Sequence, residues 1–214
     1  FYNYLKRQCD NYALDFEDLI NFTLYILEKN EDVRIRWQEK CQYVLCDEYQ
    51  DVNMKQDMLL GILSGLYQNL FVVGDDDQNI YTWRGSDPAY MINFDKTHED
   101  VKDYYLTENF RSIPQIVNVA KSLISANQNR LQKEMISKRP DGNKPVFNAP
   151  ETEEKESVWI ADTILDNIAR NMKYRDHTVL VRAASQTRSL EEAFVKRKIP
   201  YKILSGAKFY ESEE

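Results

Sequence analysis

Two acidic clusters, each following a short apolar run, carry the chemistry open to this sequence. Asp47 and Glu48 directly follow Gln42-Tyr43-Val44-Leu45-Cys46. An aspartate at the tip of such a run can hold Mg2+, usually through water, and the adjacent glutamate can orient and deprotonate a water for attack on phosphate. The plainer reading is an acidic pair that opens a loop or helix. The second cluster, Gly74-Asp75-Asp76-Asp77-Gln78, follows Leu70-Phe71-Val72-Val73. An EF-hand loop beginning at Asp75 wants glycine at its sixth position and glutamate at its twelfth. It finds Ile80 and Ser86, which argues against calcium. A Gly-Asp-Asp polymerase hairpin would need a further metal-binding aspartate on a separate strand, whereas a solvated acidic loop needs nothing more. Just beyond lie Tyr81, Trp83 and Arg84. Aromatic rings beside an arginine suit single-stranded nucleic acid, because bases stack on rings while the cation meets phosphate. Core packing of Trp83 is the competing account.

The elements that must position these residues follow from periodicity. Apolar residues at Leu19, Ile20, Phe22, Leu24 and Leu27 predict a helix over 18–27. The run 42–46 lacks alternation and predicts a strand buried on both faces. A helix over 53–63 and a strand over 70–73 follow. Strand, acidic tip, helix, strand, acidic tip is the rhythm of a parallel α/β sheet, whose ligands bind beyond the carboxyl ends of the strands. A further strand is expected at 103–106. Ser112 is expected to cap a helix with Pro114 in its first turn, and 139–143 reads as a turn. Beyond that turn we expect a strand near Val146, a helix over 154–170, a strand over 178–182, a helix over 189–198 and a strand over 201–204. The change in character at 109–114 suggests two α/β units.

Length and composition set the limits. The chain has 214 residues, enough for one to two domains, and its 43% apolar and 29% charged content is that of a globular protein. Only six glycines occur, and none stand at the spacing of a dinucleotide fingerprint or of a G-x-x-x-x-G-K-[ST] phosphate loop. The formal charge is −7, but residues 168–208 hold ten Lys/Arg against three Asp/Glu, so that segment is +7 and the remainder −14. Local potential governs binding to a phosphate backbone, so the segment is either a nucleic-acid contact or a solvated basic face. Three cysteines without C-x-x-C spacing and two histidines argue against a zinc site or a disulfide framework. We therefore expect a reducing, cytoplasmic compartment. No apolar run approaches the ~18 residues that span a bilayer, so no membrane is expected. The chain opens without an initiator Met and reads as a piece of a longer protein.

Three stretches in order carry a family resemblance. They are Val44-Leu45-Cys46-Asp47-Glu48-Tyr49-Gln50-Asp51, then Val72-Val73-Gly74-Asp75-Asp76-Asp77-Gln78-Asn79-Ile80-Tyr81-Thr82-Trp83-Arg84-Gly85-Ser86-Asp87, then Leu106-Thr107-Glu108-Asn109-Phe110-Arg111-Ser112. They resemble motifs II, III and IV of the UvrD/Rep/PcrA group of superfamily 1 ATP-dependent DNA helicases. Leu14-Asp15-Phe16-Glu17-Asp18-Leu19 resembles the family's segment ahead of motif II. The stretch from Leu180-Val181-Arg182 to Glu192, Ile199-Pro200-Tyr201 and the stretch from Gly206 to Glu211 resemble its second motor domain.

The resemblance implies an α/β fold made of parts of two RecA-like P-loop NTPase motor domains with parallel sheets, the first in residues 1–108 and the second in 109–214. It implies ATP and Mg2+ as cofactors, and single-stranded DNA and duplex junctions as partners. Repair or replication proteins are further possible partners. Asp47 would support Mg2+, Glu48 would be the catalytic base and Gln78 would sense the γ-phosphate. Tyr81 and Trp83 would stack on single-stranded DNA, with Arg84 linking the DNA and nucleotide sites. Phe110, where relatives often have Tyr, would stack on adenine, and Arg111 would meet the γ-phosphate as an arginine finger. Arg182 and Arg188 would face the DNA backbone, while Ala184 stands where relatives often have Asn. The family's phosphate loop is expected upstream of Phe1 and its later motifs downstream of Glu214. The 214 residues are thus expected to be inactive alone. A non-catalytic nucleic-acid interaction module with motor-like sequence is the alternative reading.

Overall fold

Two of the first four helices begin where the sequence offers side chains for their orphan N–H groups. α1 (Tyr2–Asn11) leads to Asp15, which accepts from the Asp18 amide while Asp18 reaches back to the Asp15 amide, a capping box that starts α2 (Phe16–Lys29). α3 (Glu31–Lys40) follows after Asn30. Asn53 and Gln56 form a second box at the start of α4 (Met54–Ser64). Between α3 and α4 lies β1 (Val44–Cys46), and after α4 comes β2 (Leu70–Val72). The two strands pair in parallel, Val44 with Leu70 and Cys46 with Val72. α4 is the crossover between them, so the acidic clusters after β1 and β2 leave neighbouring strand tips at the same end of the pair.

The computed structural model describes residues 2–204, in two compact units, Phe1–Lys144 and Pro145–Glu214. In the first unit, the short helices α5 (Ala89–Ile92) and α6 (Phe94–Thr97) follow β2, and β3 (Glu108–Asn109) pairs in parallel with β4 (Ile136–Ser137) across α7 (Pro114–Ile124). The buried side chains of this unit include Leu24, Leu27, Val44, Tyr49, Val52 and Val117. In the second unit α8 (Glu153–Ala169) packs against α9 (Thr187–Lys196) around Ala161, Ile164, Ala193, Phe194 and Ile199. There the Glu191 carboxylate, buried at 2% exposure, accepts from the Tyr201 hydroxyl at 2.9 Å.

Several expectations are corrected. β1 is not buried on both faces: Leu45 is 73% exposed, and Phe71 beside it on β2 is exposed too. A two-stranded parallel pair covered by helices on one side leaves the other open. The expected strand at 103–106 gives way to β3 two residues later, where β4 supplies ladder partners. Residues near Val146, 178–182 and 201–204 form no strand among the described residues, because no neighbouring backbone completes a ladder there. Ser112 does not cap α7. The cap position is Ile113, with Pro114 at the first helical position, and the Ser112 carbonyl accepts from the Ser137 hydroxyl at 2.7 Å. The stretch from Gly206 to Glu211 lies outside the described residues. No helix of the described residues is long and apolar enough to cross a membrane.

Candidate functional site

The backbone at Glu48 is in the left-handed region, φ 52° and ψ 41°. For a residue with a Cβ this costs about 1–3 kcal/mol and persists only where the surroundings enforce it. Here they do. The Glu48 amide donates to Asp47 Oδ1 at 2.9 Å, the Glu48 carbonyl accepts from the Asp51 amide at 2.9 Å, and the Tyr49 amide donates to the Val73 carbonyl at 2.9 Å. Tyr49 anchors the turn from below. Its ring is 1% exposed and meets Phe94 edge-on at 5.6 Å, and its hydroxyl donates to Asp57 Oδ1 at 2.5 Å. Burial, then that hydrogen bond, pushes the phenol far above the ordinary tyrosine range. The result is a pair of exposed carboxylates, Asp47 and Glu48, presented at a strand tip by a rigid turn. Carboxylate oxygens in such a pair fit a hard cation such as Mg2+.

The loop after β2 joins this turn through side chains. Glu48 Oε2 accepts from Gln50 Nε2 at 2.7 Å, Gln50 Oε1 accepts from the Asp75 amide at 3.0 Å, and Asp75 Oδ2 accepts from Gln78 Nε2 at 2.8 Å. Asn79 Nδ2 donates to the Gln50 carbonyl and, at 3.0 Å, to the Ser86 hydroxyl. Glu48 and Gln78 are thus three hydrogen bonds apart. Nothing in the residue order marks Gln50, Asn79 or Ser86 for these contacts. Gln50 stood inside the quoted motif, but a glutamine in a pattern does not reveal what it bonds.

The three aspartates are not a solvated loop. Lys133 Nζ lies 2.6 Å from Asp75 and 3.2 Å from Asp77, and also pairs with Asp76, whose side chain is only 1% exposed. Arg130 meets Asp77 with Nε at 2.8 Å, and the Leu131 amide donates to Asp76 Oδ2 at 2.9 Å. The Arg130 hydrogen bonds hold the Asp77 carboxyl below the usual carboxylate range against the opposing effect of burial. Burial opposes charge on Lys133 too, but its hydrogen bonds to Asp75 and Asp76 outweigh it and hold the ammonium above the usual lysine range. The three carboxylates could offer oxygens to one cation. The cation they hold is the lysine head.

Past the aspartates, Tyr81, Trp83 and Arg84 form an outward cluster. The Arg84 guanidinium lies 4.9 Å from the Tyr81 ring centre and 4.6 Å from that of Trp83, the two rings being 6.4 Å apart. Trp83 is 69% exposed, so it is not a core residue of this chain. Gly85, at φ 85°, closes the turn in a conformation that favours glycine.

Phe110 and Arg111 stand apart from this network, exposed at the corner between β3 and α7, where Asn109 Oδ1 accepts from the Arg111 and Ser112 amides at 3.0 and 2.8 Å. Their tie to the aspartate loop is indirect, through the segment from Arg130 to Lys133 that leads into β4. Arg182 and Arg188 lie in the second unit. The Arg182 amide donates to Gln186 Oε1 at 2.9 Å, and Arg188 pairs with Glu192 one helical turn on at 3.4 Å.

Acidic strand tips on a parallel βαβ pair, beside a loop that exposes an aromatic and arginine cluster, define an α/β protein that gathers carboxylates and an aromatic–cationic cluster at one end of its strands. Residues 1–99 match the model of the UvrD/REP helicase N-terminal domain, and residues 104–214 that of the UvrD-like helicase C-terminal domain. The chain belongs to the UvrD/Rep helicase family. It is 36% identical over 211 residues to the ATP-dependent DNA helicases PcrA of Staphylococcus aureus and of Staphylococcus epidermidis, which covers 99% of this chain and 29% of each relative. It therefore spans under a third of the length of the curated relatives it matches.

Proposed function

We propose that the full-length protein is an ATP-driven helicase that translocates on single-stranded DNA and unwinds duplex at junctions, in repair or replication in the cytoplasm. Residues 1–108 and 109–214 belong to its first and second RecA-like motor domains. The observation that carries this reading is the strained, exposed Glu48 at the tip of β1, linked within three hydrogen bonds to Gln78. Strain held in place at an exposed carboxylate suits a group whose position matters to chemistry.

In this reading Asp47 holds Mg2+, which when bound to ATP offsets charge on the phosphates. Glu48 takes the proton of the attacking water at its carboxylate. Gln78 meets the γ-phosphate and passes its presence to Tyr81, Trp83 and Arg84, which grip single-stranded DNA by stacking and charge. Phe110 stacks on the adenine, Arg111 meets the charge that builds on the γ-phosphate, and Arg182 and Arg188 face the DNA backbone. The test is Glu48→Gln in the full-length protein. The amide keeps the shape and loses the base, so DNA-stimulated phosphate release should fall by about 10²–10⁴-fold while nucleotide binding survives. Turnover within a fewfold of wild type would remove Glu48 from the role of base.

A further inference from the structure

Gln50 is a polar side chain in almost complete burial, 2% exposed, and stands between Glu48 and the loop after β2 with no part of its own in the chemistry proposed above. A buried carboxamide is costly unless its groups are paired. Both ends are paired, and each pairing fixes the other. The Asp75 amide can only donate, so the Gln50 oxygen must face it at 3.0 Å. That turns the Gln50 nitrogen toward the acceptor-only Glu48 carboxylate at 2.7 Å. The Gln50 carbonyl is held in turn by Asn79. Gly74 completes the fit, because a Cβ at that position would lie 2.5 Å from Gln50 Oε1 and 3.1 Å from the Tyr49 amide nitrogen. The glycine is required by this close approach rather than by its backbone angles.

We infer that Gln50 is a positioning residue, whose carboxamide clamps the Glu48 carboxylate and ties it to the loop that carries Gln78, in a slot that Gly74 keeps open. An exposed glutamate has several rotamers, and general-base catalysis needs one of them. The clamp selects that rotamer and makes it depend on the loop from Asp75 to Asn79, so a shift of Gln78 moves the base as well. The inference rests on the reading of Glu48 as the base.

The experiment uses Gln50→Met, Gln50→Glu and Gly74→Ala in the full-length protein, with Glu48→Gln in parallel. Met fills the slot and removes both hydrogen bonds. Glu keeps the acceptor for the Asp75 amide and replaces the amide donor with a second carboxyl facing Glu48, so the contact survives only where the pair shares a proton, which takes the free base away. Both should lower DNA-stimulated kcat by about 10–100-fold, the range for groups that orient a reacting ligand. The KM for ATP and the affinity for single-stranded DNA should stay within about twofold, because the clamp acts on the chemical step. Gly74→Ala should lower kcat as well, because its methyl would displace the Gln50 carboxamide from the slot. A kcat within about twofold of wild type for either folded Gln50 variant overturns the inference. Loss of nucleotide affinity together with the cooperative melt in both variants also overturns it, by making Gln50 a packing residue. If Glu48→Gln itself turns over normally, the reading of the base fails instead. If Glu48→Gln is inactive while both Gln50 variants work, only the clamp fails.

Discussion

The roles proposed for two single residues, Trp83 and Arg111, can be separated from stability by point substitution. Trp83 is exposed and leans on the Arg84 guanidinium, so truncating it opens no cavity. Trp83→Ala should leave the melting temperature nearly unchanged, where a buried tryptophan would cost about 3–5 kcal/mol. In the full-length protein it should weaken single-stranded DNA binding by the ~1–3 kcal/mol of one stacked base, roughly ten- to a hundredfold. A DNA titration at fixed salt, beside a thermal melt, decides between them, because phosphate contacts vary with salt and would blur the comparison. A lower melt with unchanged DNA affinity would return Trp83 to a packing role. Arg111 has its backbone amide fixed by Asn109 while the residue is exposed. Arg111→Ala should cut ATP turnover by up to ~10³–10⁵-fold and leave ADP affinity almost untouched, since ADP lacks the γ-phosphate. Equal losses of both would make it a general nucleotide contact.

The segment from Arg130 to Lys133 acts at the scale of the element. It couples the loop after β2 to the strand β4 that pairs with β3, through one lysine shared by three aspartates and one arginine on Asp77. Removing one member of a buried ionic cluster strands the remaining charges, and such losses run to about 3–5 kcal/mol. Lys133→Met should therefore loosen this junction locally. Hydrogen exchange at the Leu131 amide, which donates to Asp76, should speed up, while exchange in α8 and α9 stays as it was. Unchanged protection at Leu131 would show that Arg130 alone suffices. The junction also has a pH window. The Asp77 carboxyl is held below its ordinary value in the fold, so its contribution is complete above the unfolded value of about 3.9 and fades as pH falls toward the folded one. Lys133 is held above its ordinary value, so its contribution is complete below about 10.4 and fades at higher pH. Protection at Leu131, corrected for intrinsic exchange, should be flat between these limits and should fall beyond either of them.

At the scale of the whole molecule, catalysis needs more than a base and a sensor. The transfer of a phosphoryl group is mostly positioning and charge stabilisation, and the cradle for the β- and γ-phosphates supplies much of both. No glycine-rich phosphate loop occurs in these 214 residues. A polypeptide of these residues alone should release no phosphate from ATP above a Glu48→Gln control, with or without single-stranded DNA. Release stimulated by DNA would show that the acidic tips suffice without a cradle.

Residue order alone was enough to locate α2, α4, α8 and α9, the two apolar runs that become β1 and β2, and both acidic clusters at strand tips. Those signals are local: a helix writes its period within a turn or two, and a buried strand its apolar run. The motif stretches also carried the family. Pairing was not legible. The stretches 178–182 and 201–204 have strand-like composition, yet a strand exists only where another backbone meets its N–H and C=O groups, and among the described residues none does. The same applies to charge. Asp75, Asp76 and Asp77 read as a solvated loop or a metal site because their neutralising partners, Arg130 and Lys133, lie more than fifty residues away and arrive only through the folding of β3, α7 and β4. Gln50 shows the limit most sharply. Its residue type says only that it can donate and accept. The turn at Glu48, the bare Cα of Gly74 and the amide of Asp75 decide which atoms it meets, because a hydrogen bond is a relation in space between groups that the chain order keeps apart.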